Sequence, residues 1–278
     1  MDPVVHVKTN NGDFYFDEIV VTLPLGCLQR HTVEFSPSLP YELNQAIKNV
    51  SYSSLEKIFI AFPTAFWHES SQSGMELPDK DEKVVHLPHF VHYLRSLDDN
   101  RRPWTIEMNP LSFNPASDDS TKAIVLITTY GACASHLASL LQDLKQNTPE
   151  YVQAVGEFFR PYYSLLPNYQ SESLDCRPVA AIATNWKNDP LTGFGSYTNF
   201  QISKAGSSED RMSIDNDIRT MRLGTPERGI WFAGEHTAPF VAVGTTSGAY
   251  WSGEMAGVKV LRENGLLRQV NWEKQAVI

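Results

Sequence analysis

Four groups of residues have types and spacing that could do chemistry. The first is Gly229-Ile230-Trp231-Phe232-Ala233-Gly234-Glu235-His236-Thr237, followed shortly by Thr245-Thr246. An apolar run that stops at glycine and leads into a helix predicts a strand, a turn and a helix start. Such a start presents unpaired N–H groups and a partial positive charge. It suits a phosphate, a carboxylate or the carbonyl edge of a flavin, which gains negative charge on reduction. The same residues also read more plainly: Gly234 makes a turn, Glu235 is solvated and Thr245 caps the helix.

The second group centres on Lys57 in Leu55-Glu56-Lys57-Ile58-Phe59-Ile60. Alternation places Lys57, Phe59 and Ala61 on one face of a strand and Glu56, Ile58, Ile60 and Phe62 on the other. Lys57 either snorkels to the surface or, if buried, has a depressed pKa and can hold or activate a water. In the third group, Trp186-Lys187-Asn188-Asp189-Pro190 runs into Gly193-Phe194-Gly195-Ser196-Tyr197. Trp186 and Tyr197 can form a cage for a cation or a wall beside a planar cofactor, or they can be core. Gly193-x-Gly195 is not a dinucleotide fingerprint, because position 198 is Thr and no helix opens there. The fourth group, His86, His89 and His92, alternates faces on a strand and reads as structural or exposed rather than metal-binding. No nucleophile elbow, P-loop, HExxH or EF-hand motif occurs.

Elements must position these groups. Val4 to Lys8 and Phe14 to Phe16, joined through Asn10-Asn11-Gly12-Asp13, predict a hairpin with an Asn-Gly turn. Glu18 to Leu23 reads as a buried parallel strand that stops at Pro24-Leu25-Gly26. A short helix is expected over Pro40 to Val50. Strands are expected over Leu55 to Phe62, His86 to Leu94, Trp104 to Met108, Ala123 to Tyr130 and Val179 to Trp186. Helices are expected over Ala132 to Gln146, Glu150 to Tyr163 and Thr245 to Leu261. The last carries small residues at Ala249, Ser252, Gly253, Ala256 and Gly257, which permit close packing. Gly206 to Met221 is polar and reads as surface. Strands alternating with helices indicate an α/β or α+β fold.

The 278 residues suffice for one large domain or two small ones. The net charge of −9 argues against a nucleic-acid partner and permits a cationic ligand. Cys27, Cys133 and Cys176 are far apart and form no CxxC pair, so neither a disulfide framework nor structural zinc is expected. The N-terminus has no secretory pattern, no apolar run reaches the ~20 residues of a membrane span, and no peroxisomal or prenylation signal closes the chain. A soluble intracellular protein, cytoplasmic first of all, is the expectation.

Trp231-Phe232-Ala233-Gly234-Glu235-His236-Thr237 through Gly244-Thr245-Thr246-Ser247-Gly248-Ala249-Tyr250-Trp251-Ser252-Gly253 resembles the C-terminal flavin signature of the flavin-containing amine oxidases. Within that family the sequence is most similar to polyamine oxidases and lysine-specific histone demethylases. Val21-Thr22-Leu23-Pro24-Leu25-Gly26 resembles the family's TLPLG strand end, and Trp186 to Tyr197 its W…DP…GSY loop, in the family's order.

The resemblance implies that Lys57 holds a water against the flavin, and that Leu23, Pro24, Trp186, Gly234, Glu235, Thr245 and Thr246 contact FAD. Tyr197 and Thr245 would border the substrate. Ser196, where monoamine oxidases carry a flavin-linking Cys, implies non-covalent FAD, and Thr245, where they carry a second cage Tyr, favours a polyamine- or lysine-type substrate. The implied reaction is oxidation of a small cationic amine to an imine, with O₂ reduced to H₂O₂. A histone-lysine demethylase-like flavoprotein is the first rival, and a catalytically inactive remnant without bound FAD is the rival of another class.

No G-x-G-x-x-G unit is present. The expected layout is therefore a C-terminal portion of the family: a flavin-domain segment over 1–30, a mixed-sheet substrate domain over 31–180, a second segment of a Rossmann-like flavin domain over 181–264, and a tail over 265–278.

Overall fold

In the computed structural model, residues 5–67, 89–97, 102–111, 123–199 and 208–266 are described, the side chains of 208–213 excepted. In chain order the elements are β1 (Val5–Thr9), β2 (Gly12–Phe16), β3 (Ile19–Val21), α1 (Leu25–Gln29), α2 (Tyr41–Asn49), β4 (Ser51–Tyr52), β5 (Leu55–Phe62), β6 (Val91–Tyr93), β7 (Ile106–Pro110) and β8 (Ala123–Tyr130). Then follow α3 (Gly131–Leu141), α4 (Pro149–Tyr163), β9 (Ala180–Ala183), β10 (Thr198–Asn199), α5 (Ser208–Leu223), β11 (Ile230–Phe232) and α6 (Thr246–Glu263). The fold is mixed α/β. Among the described residues, no helix is long and apolar enough to cross a membrane.

The chain forms two compact units, one from residues 1–53 with 189–278 and the other from 54–188. These divisions differ from expected boundaries at 30 and 180. Residues 31–53 pack within the first unit because α2 buries Leu43, Ala46 and Ile47 in the same core as Ile218 and Met221 of α5.

In the first unit, β3 and β11 pair in parallel, with Val21 opposite Phe232, so Leu23 and Gly234 leave the same end of the pair. The β1–β2 hairpin pairs Thr9 with Gly12, which makes Asn10-Asn11 the turn, one residue earlier than the Asn-Gly reading. The segment expected as polar surface is instead α5. Its Ile218 and Met221, at i and i+3, are fully buried, Ile214 one turn earlier packs partly buried against the same core, and its polar majority hides that seam. Along α6, the buried small residues are Gly248, Ser252 and Ala256, at strict i, i+4 spacing. Gly253 and Gly257 have open space where a Cβ would stand, so they lie outside the packed stripe.

The second unit is a five-stranded antiparallel sheet in the order β6-β7-β8-β5-β9. Helices α3 and α4 cover one face. Ile58, Ile60, Ile106, Met108, Val125 and Ile127 meet Leu137, Val155 and Phe159 there. Each such side chain contributes about 2 kcal/mol by leaving water. Thr148 caps α4 by accepting from the Tyr151 amide, and Pro149 sits at the first helical position, where its missing N–H costs nothing. The opposite sheet face carries the odd-numbered residues of β5, Lys57 among them.

Candidate functional site

In the first unit, the β3–β11 pair delivers its chain ends to one place, as parallel strands do at ligand-binding crevices. Val21 O accepts from Ala233 N at 3.1 Å, and Pro24 O starts α1 by accepting from Cys27 N at 2.9 Å. Gly234 follows at φ 149°, a conformation that favours glycine, and a Cβ there would meet the His236 ring at 2.6 Å. The turn is pinned from both sides. Gly234 N donates to Ser252 Oγ at 2.8 Å, and Thr237 Oγ1 donates to Gly234 O at 3.0 Å.

Glu235 is half-buried, and its carboxylate gathers two other segments. Its Oε1 accepts from Thr198 N (3.1 Å) and Thr198 Oγ1 (2.7 Å), and its Oε2 from Gly244 N (2.9 Å). Burial raises its pKa, opposed by the bonds from Thr198 and Gly244. Thr198 follows Tyr197, and Gly244 precedes Thr245, so Glu235 joins the two. A Cβ on Gly244 would meet the Tyr197 ring at 2.9 Å. Thr245 caps α6: its Oγ1 accepts from Gly248 N at 2.9 Å and donates to Ala242 O at 2.7 Å. Ala249 N bonds to Thr245 O. The amides of Thr246 and Ser247 therefore stand at the exposed start of the helix without an intrahelical acceptor.

The Gly-rich loop is seated by Tyr52. A Cβ at Gly195 would meet the Tyr52 ring at 2.5 Å and Ser53 O at 2.9 Å. Tyr52 Oη donates to Thr192 O at 2.7 Å. Burial first, then the Glu235 and Cys27 charges, push this phenol up to about 12, so it stays a neutral donor. Ser196 Oγ donates to Ser53 O at 3.1 Å, and Arg30 lies 4.5 Å over the Phe194 ring.

In the second unit, alternation along β5 exposes Lys57 and buries Glu56 at 1% exposure. The buried-lysine alternative is therefore overturned. The residue that could not leave the core face is the carboxylate beside it. Glu56 accepts from Thr184 Oγ1 (2.6 Å), Trp186 N (3.2 Å) and Lys187 N (2.8 Å). Trp186 opens a 3-10 turn, Trp186–Asn188.

Cross-strand register places Lys57 opposite Thr128, Thr128 opposite Glu107 and Glu107 opposite His92. These four side chains thus form one row on the sheet face opposite α3 and α4, with Thr128 buried at 7% exposure, and two strand spacings of ~4.8 Å put Lys57 and Glu107 about 10 Å apart. The adjacent row sets Ile182, Phe59 and Leu126 side by side and continues to Asn109 on β7. Phe59 is 37% and Ile182 52% exposed. Of the three histidines, His92 and His89 are exposed and His86 lies outside the described residues. Among the described residues, no three His, Cys, Asp or Glu side chains group to hold a metal.

The structure thus brings Leu23, Pro24, Tyr197, Gly234, Glu235, Thr245 and Thr246 into the first unit, and Lys57 and Trp186 into the second. Sequence reasoning passed over Glu56 and His236. A charged residue on the apolar face of β5 was the available signal for Glu56. His236 is 1% exposed, its Nε2 has no hydrogen-bond partner among the described residues, and burial pushes its pKa down to about 4.

Residues 2–261 match the model of the family described as flavin containing amine oxidoreductase. The chain belongs to this family. Among curated relatives, lysine-specific histone demethylase 1 homolog 3 of Arabidopsis thaliana is 26% identical over 261 residues, covering 92% of this chain and 13% of that protein. Lysine-specific histone demethylase 1 homolog 1 of the same plant is 25% identical over 258 residues, covering 93% and 25%. A corticosteroid-binding protein of Candida albicans is 24% identical over 263 residues, covering 92% and 48%. The chain spans less than half the length of each of these relatives.

Family membership implies a flavin, and the first unit can be tested against one. An exposed helix start whose Thr246 and Ser247 amides have no intrahelical acceptor fits the electron-rich edge of an isoalloxazine.

Proposed function

We propose that this amine oxidoreductase chain takes part in FAD-dependent oxidation of a cationic aliphatic amine of polyamine type, with non-covalent FAD and release of H₂O₂. The observation that carries the substrate class is the Lys57–Thr128–Glu107–His92 row beside an exposed apolar strip. An aliphatic amine has methylenes for Phe59, Leu126 and Ile182, and a second ammonium for the Glu107 carboxylate. Glu107 has no ion-pair partner among the described residues. The net charge of −9 favours the approach of such a cation.

The bound flavin would supply the hydride acceptor. The chain's own residues do the rest in this reading. Amides of Thr246 and Ser247 favour negative charge at the flavin edge. Leu23, Pro24 and Gly234 shape the crevice that receives it, and Glu235 fixes Tyr197 and Thr245 beside it. For Trp186 and Lys57, in the second unit, the reading keeps the roles that the family resemblance implies, a cofactor wall and a water-holding ammonium. Ser196, a hydroxyl rather than a thiol, makes no flavin linkage.

A second reading, oxidation of a methylated lysine side chain, is favoured by the names of the plant relatives. It asks the same chemistry of a peptide-borne cation. The test is anaerobic addition of spermine, or of a dimethyl-lysine peptide, to the chain loaded with FAD. Spermine is expected to bleach the flavin absorbance. Bleaching by the peptide alone selects the second reading, and bleaching by neither overturns both.

A further inference from the structure

Glu56 has no part in that reading, yet it is the buried charge of the strand that carries Lys57. It sits on the core face of β5 beside Ile58, and among the described residues no ion pair reaches it. A carboxylate in such a place needs its lone pairs filled, because desolvation is otherwise uncompensated. Three neutral donors fill them, and all three belong to residues 184–187.

The donors are arranged with a purpose legible in the backbone. Lys57 N donates to Thr184 Oγ1 at 2.9 Å, and Thr184 N donates to Lys57 O at 2.9 Å. The same Thr184 hydroxyl donates onward to Glu56 at 2.6 Å. Beyond Thr184, the chain leaves β9 and has no ladder partner to guide it. Consecutive amides of Trp186 and Lys187 then close on the two carboxylate oxygens. One side chain thereby ties the backbone that bears Lys57 to the turn that bears Trp186.

We propose that Glu56 is a positioning residue, setting the Lys57 and Trp186 side chains relative to each other for the flavin and its amine substrate. The proposal rests on the flavin reading of Lys57 and Trp186 given above. Glu56→Gln keeps the size and one acceptor oxygen but turns an amide NH₂ toward a backbone N–H. The turn loses at least one charge-assisted bond while the rest of the β5 core face is preserved.

The experiment labels the chain with 5-fluorotryptophan and assigns the Trp186 fluorine resonance by Trp186→Phe. In Glu56→Gln the Trp186 resonance is expected to move or broaden while that of Trp231, in the other unit, stays in place. FAD affinity, titrated by flavin fluorescence, is expected to fall about tenfold, the order of one such bond. Thr184→Val is expected to act in the same direction more weakly, and Thr184→Ser to restore the native spectrum. An unmoved Trp186 resonance in both Glu56→Gln and Thr184→Val overturns the proposal. So does a shift shared equally by all tryptophans, which marks a general loss of structure. Equal FAD affinity in Glu56→Gln and the native chain overturns the link to the flavin. If the native chain takes up no FAD, the flavin reading falls, and the resonance still decides whether Glu56 sets the turn.

Discussion

Each unit of the molecule contains a carboxylate clamped by neutral donors, and the two clamps differ in a telling way. Glu56 is fully buried and takes three bonds from a single stretch, Thr184 to Lys187. Glu235 is half-buried and takes its bonds from two separate segments, Thr198 on one side and Gly244 on the other. The first orders one turn against one strand. The second staples the loop bearing Tyr197 to the turn that starts α6. Water can replace a lost partner at Glu235 more readily than at Glu56, so the same chemistry should carry unequal energetic weight.

The largest effect expected follows from that inequality. Glu56→Ala removes the fully buried acceptor of three part-buried donors and should cost about 4 kcal/mol in urea denaturation, against about 2 for Glu235→Ala. Equal losses would erase the distinction.

His236 sharpens the comparison through pH. Burial holds its imidazole at about 4 against an ordinary 6.5. The folded state therefore resists protonation. Stability is complete above pH 6.5 and is lost as pH falls toward 4, by about 3 kcal/mol in all. Stability curves across that range should show the loss in the native chain and not in His236→Phe.

Glu235 works in the opposite sense. Its raised pKa means that the folded state takes up the carboxyl proton first, so acidification toward 4.5 favours folding. Glu235→Gln removes this compensation, and the acid loss should become steeper; an unchanged slope would show that Glu235 does not titrate between the two states.

Gly195→Ala tests the seat on which the Glu235 staple rests. A methyl there meets the Tyr52 ring, and thermal melting should report a destabilisation of about 2 kcal/mol. The smallest effect concerns the exposed face. Glu107→Gln should raise the KM for spermine about tenfold and leave kcat unchanged, as expected for a rim charge that binds an ammonium.

Much of this architecture could be read from residue order. Ala123 to Tyr130 forms a strand with the expected bounds, because its apolar run is bounded by a Gly-started helix. Alternation along β5 correctly separated the Lys57 face from the Glu56 face. Periodicity could not show which charge had to be buried, since the partners that make Glu56 tolerable lie about 130 residues away. Helix α5 was hidden for a related reason: the buried Ile218 and Met221, with Ile214 partly buried, hold a polar segment against α2. The stripe on α6 was foreseen, but Gly248, Ser252 and Ala256 form it, as only the packing partners select the phase. The Lys57-to-His92 row depends on strand register and has no local signature at all.

FAD uptake is the most direct measurement of the account. Titration of FAD into the native chain, followed by quenching of flavin fluorescence, should saturate at one FAD per chain. Substitution of Gly234 by valine, which drives a side chain into the His236 ring, should abolish saturation while folding is retained by circular dichroism. Absence of saturable quenching in the native chain, or equal binding by Gly234→Val, would contradict the placement of the flavin at this crevice.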